Sequence, residues 1–135
     1  MSNRAQRILV VDDLYEWQDS LSGLLRDYGY QTETAGTTAG AKQLLAEHQF
    51  DLALLDIRLD DSDEENTEGL ALGEYIRATY PDTHVIILTG FGRIEYATRI
   101  MQPGDQAPRV AYDFVIKSEP KRLLASVEEV LARKQ

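Results

Sequence analysis

The chain has 135 residues, of which 43% are hydrophobic, and this composition fits one globular domain with its own core. The balance of 14 Lys and Arg against 23 Asp and Glu gives a formal net charge of -9, which disfavours direct binding to DNA or to an anionic membrane. There is no cysteine, so disulfides, thiolate metal sites and cysteine nucleophiles are excluded.

The beginning of the sequence does not resemble a targeting signal. Residues 1–7 are largely polar and lead into a short apolar run, without the longer apolar stretch that a secretory signal needs. No segment is long and apolar enough to span a bilayer. We therefore expect a soluble, cytoplasmic protein, and the lack of cysteine suits a reducing compartment.

Short apolar runs alternate with longer segments of helical period, which is typical of an α/β fold with a parallel sheet covered by helices. The first strand is predicted over Ile8–Val11. A helix follows over Leu14–Tyr28, where apolar residues recur every three or four positions, and Gly29 is suited to end it. A second, short strand is predicted over Gln31–Ala35.

The central part of the chain repeats this alternation. Thr37 or Thr38 is suited to cap a second helix. The third strand is predicted over Asp51–Ile57, a nearly continuous apolar run that indicates burial on both faces. A helix over about Leu70–Thr79 leads to a fourth strand, His84–Thr89.

The last part of the chain completes the pattern with a fifth strand, Tyr112–Lys117, and a helix that begins near Pro120. Two connections are unusually long. The first, residues 59–68, is rich in Asp and Glu, and we interpret it as a solvated acidic loop, with a dedicated cation site as the alternative. It lacks the central glycine of a calcium-binding loop. The second, residues 90–111, is predicted to hold a helix over residues 94–101 and then a loop.

Polar residues follow the predicted strands at the edge of the sheet where ligands bind in such folds. They are Asp12, Asp13, Asp56, Thr89 and Lys117. Crowded carboxylates repel one another, so this group requires a divalent cation or a lysine among them. An all-oxygen ligand set suits Mg²⁺, which shares its remaining positions with phosphate oxygens. The sequence therefore predicts an acidic Mg²⁺ site that accepts a phosphoryl group.

Asp56 is the predicted nucleophile, because it alone of the three acids ends a doubly apolar central strand. A carboxylate can attack phosphorus to form an acyl phosphate. Lys117 and Mg²⁺ would then neutralise charge on the equatorial oxygens, and the Thr89 hydroxyl would hydrogen-bond one of them. The added charge on Asp56 would draw Thr89 inward as a switch.

Four segments give the chain a resemblance to the receiver domains of two-component response regulators over essentially its whole length. They are Ile8–Asp13, Asp51–Asp56, Val85–Gly90 and Phe114–Lys117. Each segment is weakly specific alone, but their order and spacing together are highly specific.

The resemblance implies a flavodoxin-like (βα)5 sheet with strand order 2-1-3-4-5, formed by residues 1–135 as a single receiver domain. It also implies that a sensor histidine kinase or a phosphotransfer protein supplies the phosphoryl group, that dephosphorylation is slow and self-catalysed, and that an output domain or partner protein is controlled. It is compatible with a homodimer. The sequence leaves open whether the chain acts alone or is part of a longer protein.

Further site roles are implied by the same resemblance. The backbone carbonyl of Arg58 would join the three carboxylates as a metal ligand, and the aromatic residue three positions before the lysine, Phe114, would report the state of the switch. Tyr112 is the alternative aromatic. One departure is Ser118, which follows Lys117 where the family commonly has a proline in a cis bond, so a trans bond is expected here.

Other functions and simpler roles are also consistent with parts of the pattern. A pseudo-receiver would keep the fold but act through constitutive protein contacts. An aspartate-dependent phosphohydrolase usually has a second acid two residues after its nucleophile, which Asp12–Tyr15 lacks, and a flavin module would need a Ser- and Thr-rich loop there.

Asp12 or Asp13 could simply cap the first helix. Trp17 and Tyr28 are interpreted as packing residues.

Overall fold

The computed structural model describes residues 6–59, 68–89 and 113–132. The strands and helices of these residues follow the predicted order, and their bounds lie within two positions of those predicted. The elements in chain order are β1 (Arg7–Val11), α1 (Tyr15–Asp27), β2 (Gln31–Ala35), α2 (Thr38–Glu47), β3 (Leu52–Asp56), α3 (Glu68–Thr79), β4 (His84–Thr89), β5 (Asp113–Ile116) and α4 (Pro120–Ala132).

The strands form one parallel sheet in the order β2-β1-β3-β4-β5, which confirms the predicted flavodoxin-like topology. In the register, Val11 pairs with Leu55 and Asp56 pairs with Leu88. Thr89 pairs with Ile116 at the last position of the sheet. The carboxyl ends of β1, β3, β4 and β5 therefore lie side by side at one edge.

The core is divided between the two faces of the sheet, because side chains alternate along each strand. Leu9 and Val11 of β1 pack on the face covered by α2 and α3, whereas Ile8 and Val10 pack on the face covered by α1 and α4. The central strand β3 is buried along its whole length. This burial on both faces explains why its sequence is a continuous apolar run.

Local contacts at the helix ends test the predicted caps. The N–H of Gly40 donates to Oγ1 of Thr37 over 3.0 Å, so Thr37 rather than Thr38 caps α2. Gly29 ends α1 with a φ of 93°, a conformation that favours glycine. The hypothesis that Asp12 or Asp13 caps α1 is wrong, since Leu14 occupies the N-cap and makes no side-chain capping bond.

Some predictions fall outside the described residues. These are the helix over residues 94–101, Tyr112 and most of the acidic connection 59–68. Within the described ranges, no helix has the length and apolar character needed to cross a membrane.

Candidate functional site

The residues predicted to converge at the carboxyl edge of the sheet do lie there. Asp12 directly follows β1, Asp56 is the last residue of β3, Thr89 is the last residue of β4, and Lys117 directly follows β5. These four residues are buried, although each is polar or charged. Buried polar groups persist when other groups compensate them, so the contacts among these side chains define the site.

Three carboxylates form what we call the acid cluster, which comprises Asp12, Asp13 and Asp56. One carboxylate oxygen from each residue lies within 4.8 Å of the others. Oxygen atoms at this spacing, supplied by anionic side chains alone, suit a hard divalent cation such as Mg²⁺ and do not suit a soft metal. The acid cluster therefore fits the predicted Mg²⁺ site.

Lys117 brings a positive charge to the acid cluster. Its Nζ lies 2.7 Å from Oδ2 of Asp12 and 3.1 Å from Oδ2 of Asp56. The N–H of Lys117 also donates to the carbonyl oxygen of Thr89 over 2.8 Å, which fixes the backbone where β5 ends. One ammonium group thus bridges two buried carboxylates from different strands.

When no cation is bound, burial raises the pKa of two members of the acid cluster, Asp56 and Asp12. Burial, reinforced by the charge of Asp12, raises the pKa of Asp56 to about 6, although Lys117 acts in the opposite direction. Burial also raises the pKa of Asp12, again against the effect of Lys117. A single lysine is not enough to compensate the whole cluster, which is the condition under which a cation binds favourably.

Backbone and amide groups orient the two buried carboxylates. The N–H of Leu14 donates to Oδ1 of Asp12 over 3.0 Å, and Nε2 of Gln18 donates to the carbonyl oxygen of Asp12 over 2.7 Å. The N–H of Arg58 makes a long contact of 3.4 Å with Oδ1 of Asp56. Asp12 is therefore held more firmly than Asp56, which leaves an oxygen of Asp56 better able to change partners.

Gly69 places the beginning of α3 directly against the backbone of Asp56. Its N–H donates to the carbonyl oxygen of Ile57 over 3.0 Å. A Cβ built on Gly69 would overlap the carbonyl oxygen of Asp56 and lie 2.8 Å from both the carbonyl carbon of Asp56 and the Cα of Ile57. Only glycine allows this approach, so Gly69 fixes how the chain leaves β3.

The remaining predicted residues lie near the edge in different ways. Phe114 is half-buried in β5, three residues before Lys117, and packs against the core on the α2 and α3 face. Arg58 follows Asp56 by two positions and is also half-buried. Among the described residues there is no cis peptide bond, so the bond between Lys117 and Ser118 is trans, as expected from the missing proline.

Comparison with known proteins identifies the class that this fold and site define. The family model of the response regulator receiver domain matches residues 8–128, so the chain belongs to that family. It is a receiver domain of two-component phosphorelay signalling. Receiver domains generally bind Mg²⁺ at an acidic pocket, and the acid cluster is a pocket of that kind.

Individual relatives agree with this assignment. The nitrogen assimilation regulatory protein NtrX of Azorhizobium caulinodans is 34% identical over 128 residues, which cover 94% of this chain and 26% of that protein. The transcriptional regulatory protein ZraR of Escherichia coli is 33% identical, over 93% of this chain and 26% of ZraR. The crystal structure of the receiver domain of NtrX from Brucella abortus superposes with a TM-score of 0.78 at 33% identity, covering 93% of this chain and 98% of that domain. The chain thus spans about a quarter of the length of the curated relatives.

Sequence reasoning missed two contributors to the site. The predicted third helix begins after Gly69, and Trp17 is predicted only as a packing residue. The Trp17 ring does pack against the core, but its centroid also lies 5.0 Å from Nζ of Lys117. A short acidic or apolar motif gives no signal for either contact, because both depend on how α1 and α3 dock on the sheet.

Proposed function

We propose that Asp56 is the phosphoacceptor of this receiver domain. The observation that carries the proposal is the position of its carboxylate, buried at the carboxyl end of β3, next to the other members of the acid cluster and 3.1 Å from the Lys117 ammonium. A nucleophilic carboxylate needs neighbouring positive charge to accept an anionic phosphoryl group. Asp56 has that charge on one side and a cation-binding arrangement of oxygens on the other.

The proposed transfer moves a phosphoryl group from a phosphohistidine to the carboxylate of Asp56. A carboxylate oxygen of Asp56 attacks the phosphorus of a phosphohistidine on the donor protein. A P–O bond forms, the P–N bond breaks, and the electron pair leaves with the imidazole nitrogen, which takes up a proton. The product is an acyl phosphate that water later hydrolyses, so the domain catalyses only its own phosphorylation and dephosphorylation.

The acid cluster and Lys117 have separate electrostatic roles in the proposed transfer. Asp12, Asp13 and Asp56 would hold Mg²⁺, together with the backbone carbonyl of Arg58. Bound Mg²⁺ supplies positive charge to the phosphoryl oxygens. The Lys117 ammonium, which already contacts Oδ2 of Asp56, moves little to reach an oxygen of the new phosphoryl group. Its contact with Asp12 keeps the ammonium in the site while its contact with Asp56 is replaced by one with a phosphoryl oxygen.

Thr89 and Phe114 are the proposed switch. Thr89 ends β4 beside the backbone of Lys117, so its hydroxyl lies at the edge where the phosphoryl oxygens form. The new charge and acceptor oxygens favour a hydroxyl donor, which would draw Thr89 inward. Phe114, half-buried on the adjacent strand, would then repack.

The partners follow from the class of protein. Receiver domains of response regulators partner with histidine kinases and output domains. We propose that residues 1–135 act as one receiver unit, that a sensor histidine kinase or phosphotransfer protein is the donor, and that the output is a domain or protein outside these residues. The NtrX and ZraR relatives, which are about four times as long, are regulators by name and are consistent with an attached output.

Phosphorylation with a small phosphodonor tests the proposal. Purified protein is incubated with phosphoramidate and Mg²⁺, and its intact mass is compared with that of Asp56→Asn and of wild type in EDTA. We expect one added phosphoryl group that requires both Asp56 and Mg²⁺. An unmodified wild type would instead support a pseudo-receiver, and hydrolysis of free phosphate esters with turnover would support an enzyme.

A further inference from the structure

The Lys117 ammonium also has a contact with a residue of α1. Trp17 lies on α1, two positions after the helix begins, and its ring centroid is 5.0 Å from Nζ of Lys117. This distance is within the range in which an ammonium group is attracted to the negative face of an indole. Within the described part of the chain, the ammonium therefore contacts two carboxylates and one aromatic ring.

The side chain of Lys117 needs such a restraint because it is long and flexible. Its four-carbon stem has many rotamers, and its charge is compact rather than planar. Two carboxylates hold the ammonium in the resting site, but the contact with Oδ2 of Asp56 is the one that phosphorylation changes. A ring that attracts the ammonium without accepting a proton keeps its position while that partner is exchanged.

Burial strengthens the contact. Lys117 is only 6% exposed, and Trp17 is half-buried against the core cluster of the α1 and α4 face. Cation–π attraction is larger between desolvated groups than at a wet surface. The adjacent residue, Gln18, donates to the carbonyl oxygen of Asp12 over 2.7 Å, so this turn of α1 is attached to the site at a second point. The ring is thus held in place by the fold rather than by Lys117 alone.

We propose that Trp17 is a positioning residue for Lys117, and that its π face holds the ammonium between Asp12 and Asp56 for phosphoryl transfer. The catalytic part of this inference rests on the proposed phosphorylation of Asp56. The contact itself does not, because it is present in the resting site.

Trp17 is the single tryptophan of the chain, which allows a test that changes charge without changing shape. Biosynthetic replacement of tryptophan by mono-, di- and trifluorotryptophan weakens the negative face of the ring in steps while its size stays nearly constant. Two quantities are measured on each protein, which are the melting temperature and the rate constant of phosphorylation by phosphoramidate with Mg²⁺. The same series is made in Lys117→Gln, which has no ammonium.

We expect both quantities to fall with each added fluorine in wild type, and the melting temperature to be flat across the series in Lys117→Gln. Equal slopes in the two backgrounds would overturn the proposal, because fluorine would then act through packing. If wild type accepts no phosphoryl group at all, the proposed function fails, and the melting temperatures still decide whether the ring and the ammonium interact.

Substitutions give a second, independent comparison. Trp17→Leu should lower the phosphorylation rate constant about 2- to 30-fold, the range expected for losing a cation–π contact. Trp17→Phe should recover part of that loss because it retains a ring. Tyr30→Leu is the matched control, since Tyr30 packs against the same core cluster but precedes β2 at the far edge of the sheet. A rate constant for Trp17→Leu equal to that of Tyr30→Leu would contradict a positioning role.

Discussion

The Nζ of Lys117 lies closer to Oδ2 of Asp12, at 2.7 Å, than to Oδ2 of Asp56, at 3.1 Å. The lysine is therefore anchored on a carboxylate that the proposed reaction leaves unchanged. Its second contact, with Asp56, is available for exchange with a phosphoryl oxygen. This arrangement explains how one ammonium both pairs with two carboxylates of the resting acid cluster and remains available during transfer.

Removing the Lys117 charge should destabilise the metal-free protein. Lys117→Gln leaves two buried carboxylates without their ion pair, and breaking a buried pair in this way costs about 3 kcal/mol of the free energy of unfolding. Urea denaturation in EDTA measures the change. Lys121→Gln, at an exposed position of α4, is the control and should lie within about 0.5 kcal/mol of wild type. Equal stabilities for the two variants would show that the ion pairs contribute nothing.

Asp56 should make the metal-free protein less stable as the pH rises. Its pKa is raised from 3.8 to about 6 in the folded protein, so the folded state holds the proton more tightly than the unfolded state does. The favourable contribution is complete below about pH 4 and is lost as the pH rises through about 6. Asp56→Asn, which is neutral at every pH, should therefore be more stable than wild type at pH 8 by on the order of 3 kcal/mol.

The measurement is urea denaturation of both proteins in EDTA between pH 4 and pH 8. The difference between them should grow over this interval and level off above the pKa of Asp56. A variant that is less stable than wild type at pH 8 would contradict the electrostatic account of the site.

Mg²⁺ should stabilise wild type through the acid cluster. A ligand at 100 times its dissociation constant raises the free energy of unfolding by about 2.7 kcal/mol, so the melting temperature should rise with Mg²⁺ concentration. Asp13→Asn removes one anionic ligand and should shift that dependence to higher Mg²⁺. Asp27→Asn, an exposed acid at the end of α1, is the control and should respond like wild type. An unchanged response of Asp13→Asn would remove Asp13 from the metal site.

Gly69 should not tolerate a side chain. Gly69→Ala would force the backbone of α3 away from Asp56 and Ile57, and overpacking of this kind costs about 3 kcal/mol of stability. Gly23→Ala is the matched control, because a Cβ at Gly23 meets nothing within 4 Å and alanine favours the helix. The two variants should therefore change the melting temperature in opposite directions. A stable Gly69→Ala would show that α3 can move away from Asp56 without loss.

Much of the fold was predictable, because periodicity and strand ends are local properties of the sequence. Asp56 could be placed near the end of β3 because it interrupts an apolar run of the sequence, and Asp12 and Lys117 could be placed at the same edge from the parallel order of the strands. The predicted strand Asp51–Ile57 is one residue too long at each end. The Asp51 carboxylate instead accepts a hydrogen bond from the N–H of Arg7. Ile57, just after the end of β3, donates its N–H to the carbonyl oxygen of Leu88.

The contacts that complete the site could not be predicted in this way. The sharing of Lys117 between Asp12 and Asp56 depends on side-chain rotamers. The approach of Gly69 to Asp56 depends on how α3 docks, and the position of Trp17 depends on the rotation of α1 about its axis. These are tertiary relations between residues far apart in the chain, so no single segment carries them.

Chemical trapping of the acyl phosphate tests the central claim most directly. Wild type is treated with phosphoramidate and Mg²⁺ and then with sodium borohydride, which reduces an aspartyl phosphate to homoserine, and the modified residue is located by peptide mass spectrometry. We expect homoserine at position 56 alone, and none in EDTA or in Asp56→Asn. Homoserine at position 12 or 13 in wild type, or no conversion at any aspartate, would contradict the assignment of Asp56 as the phosphoacceptor.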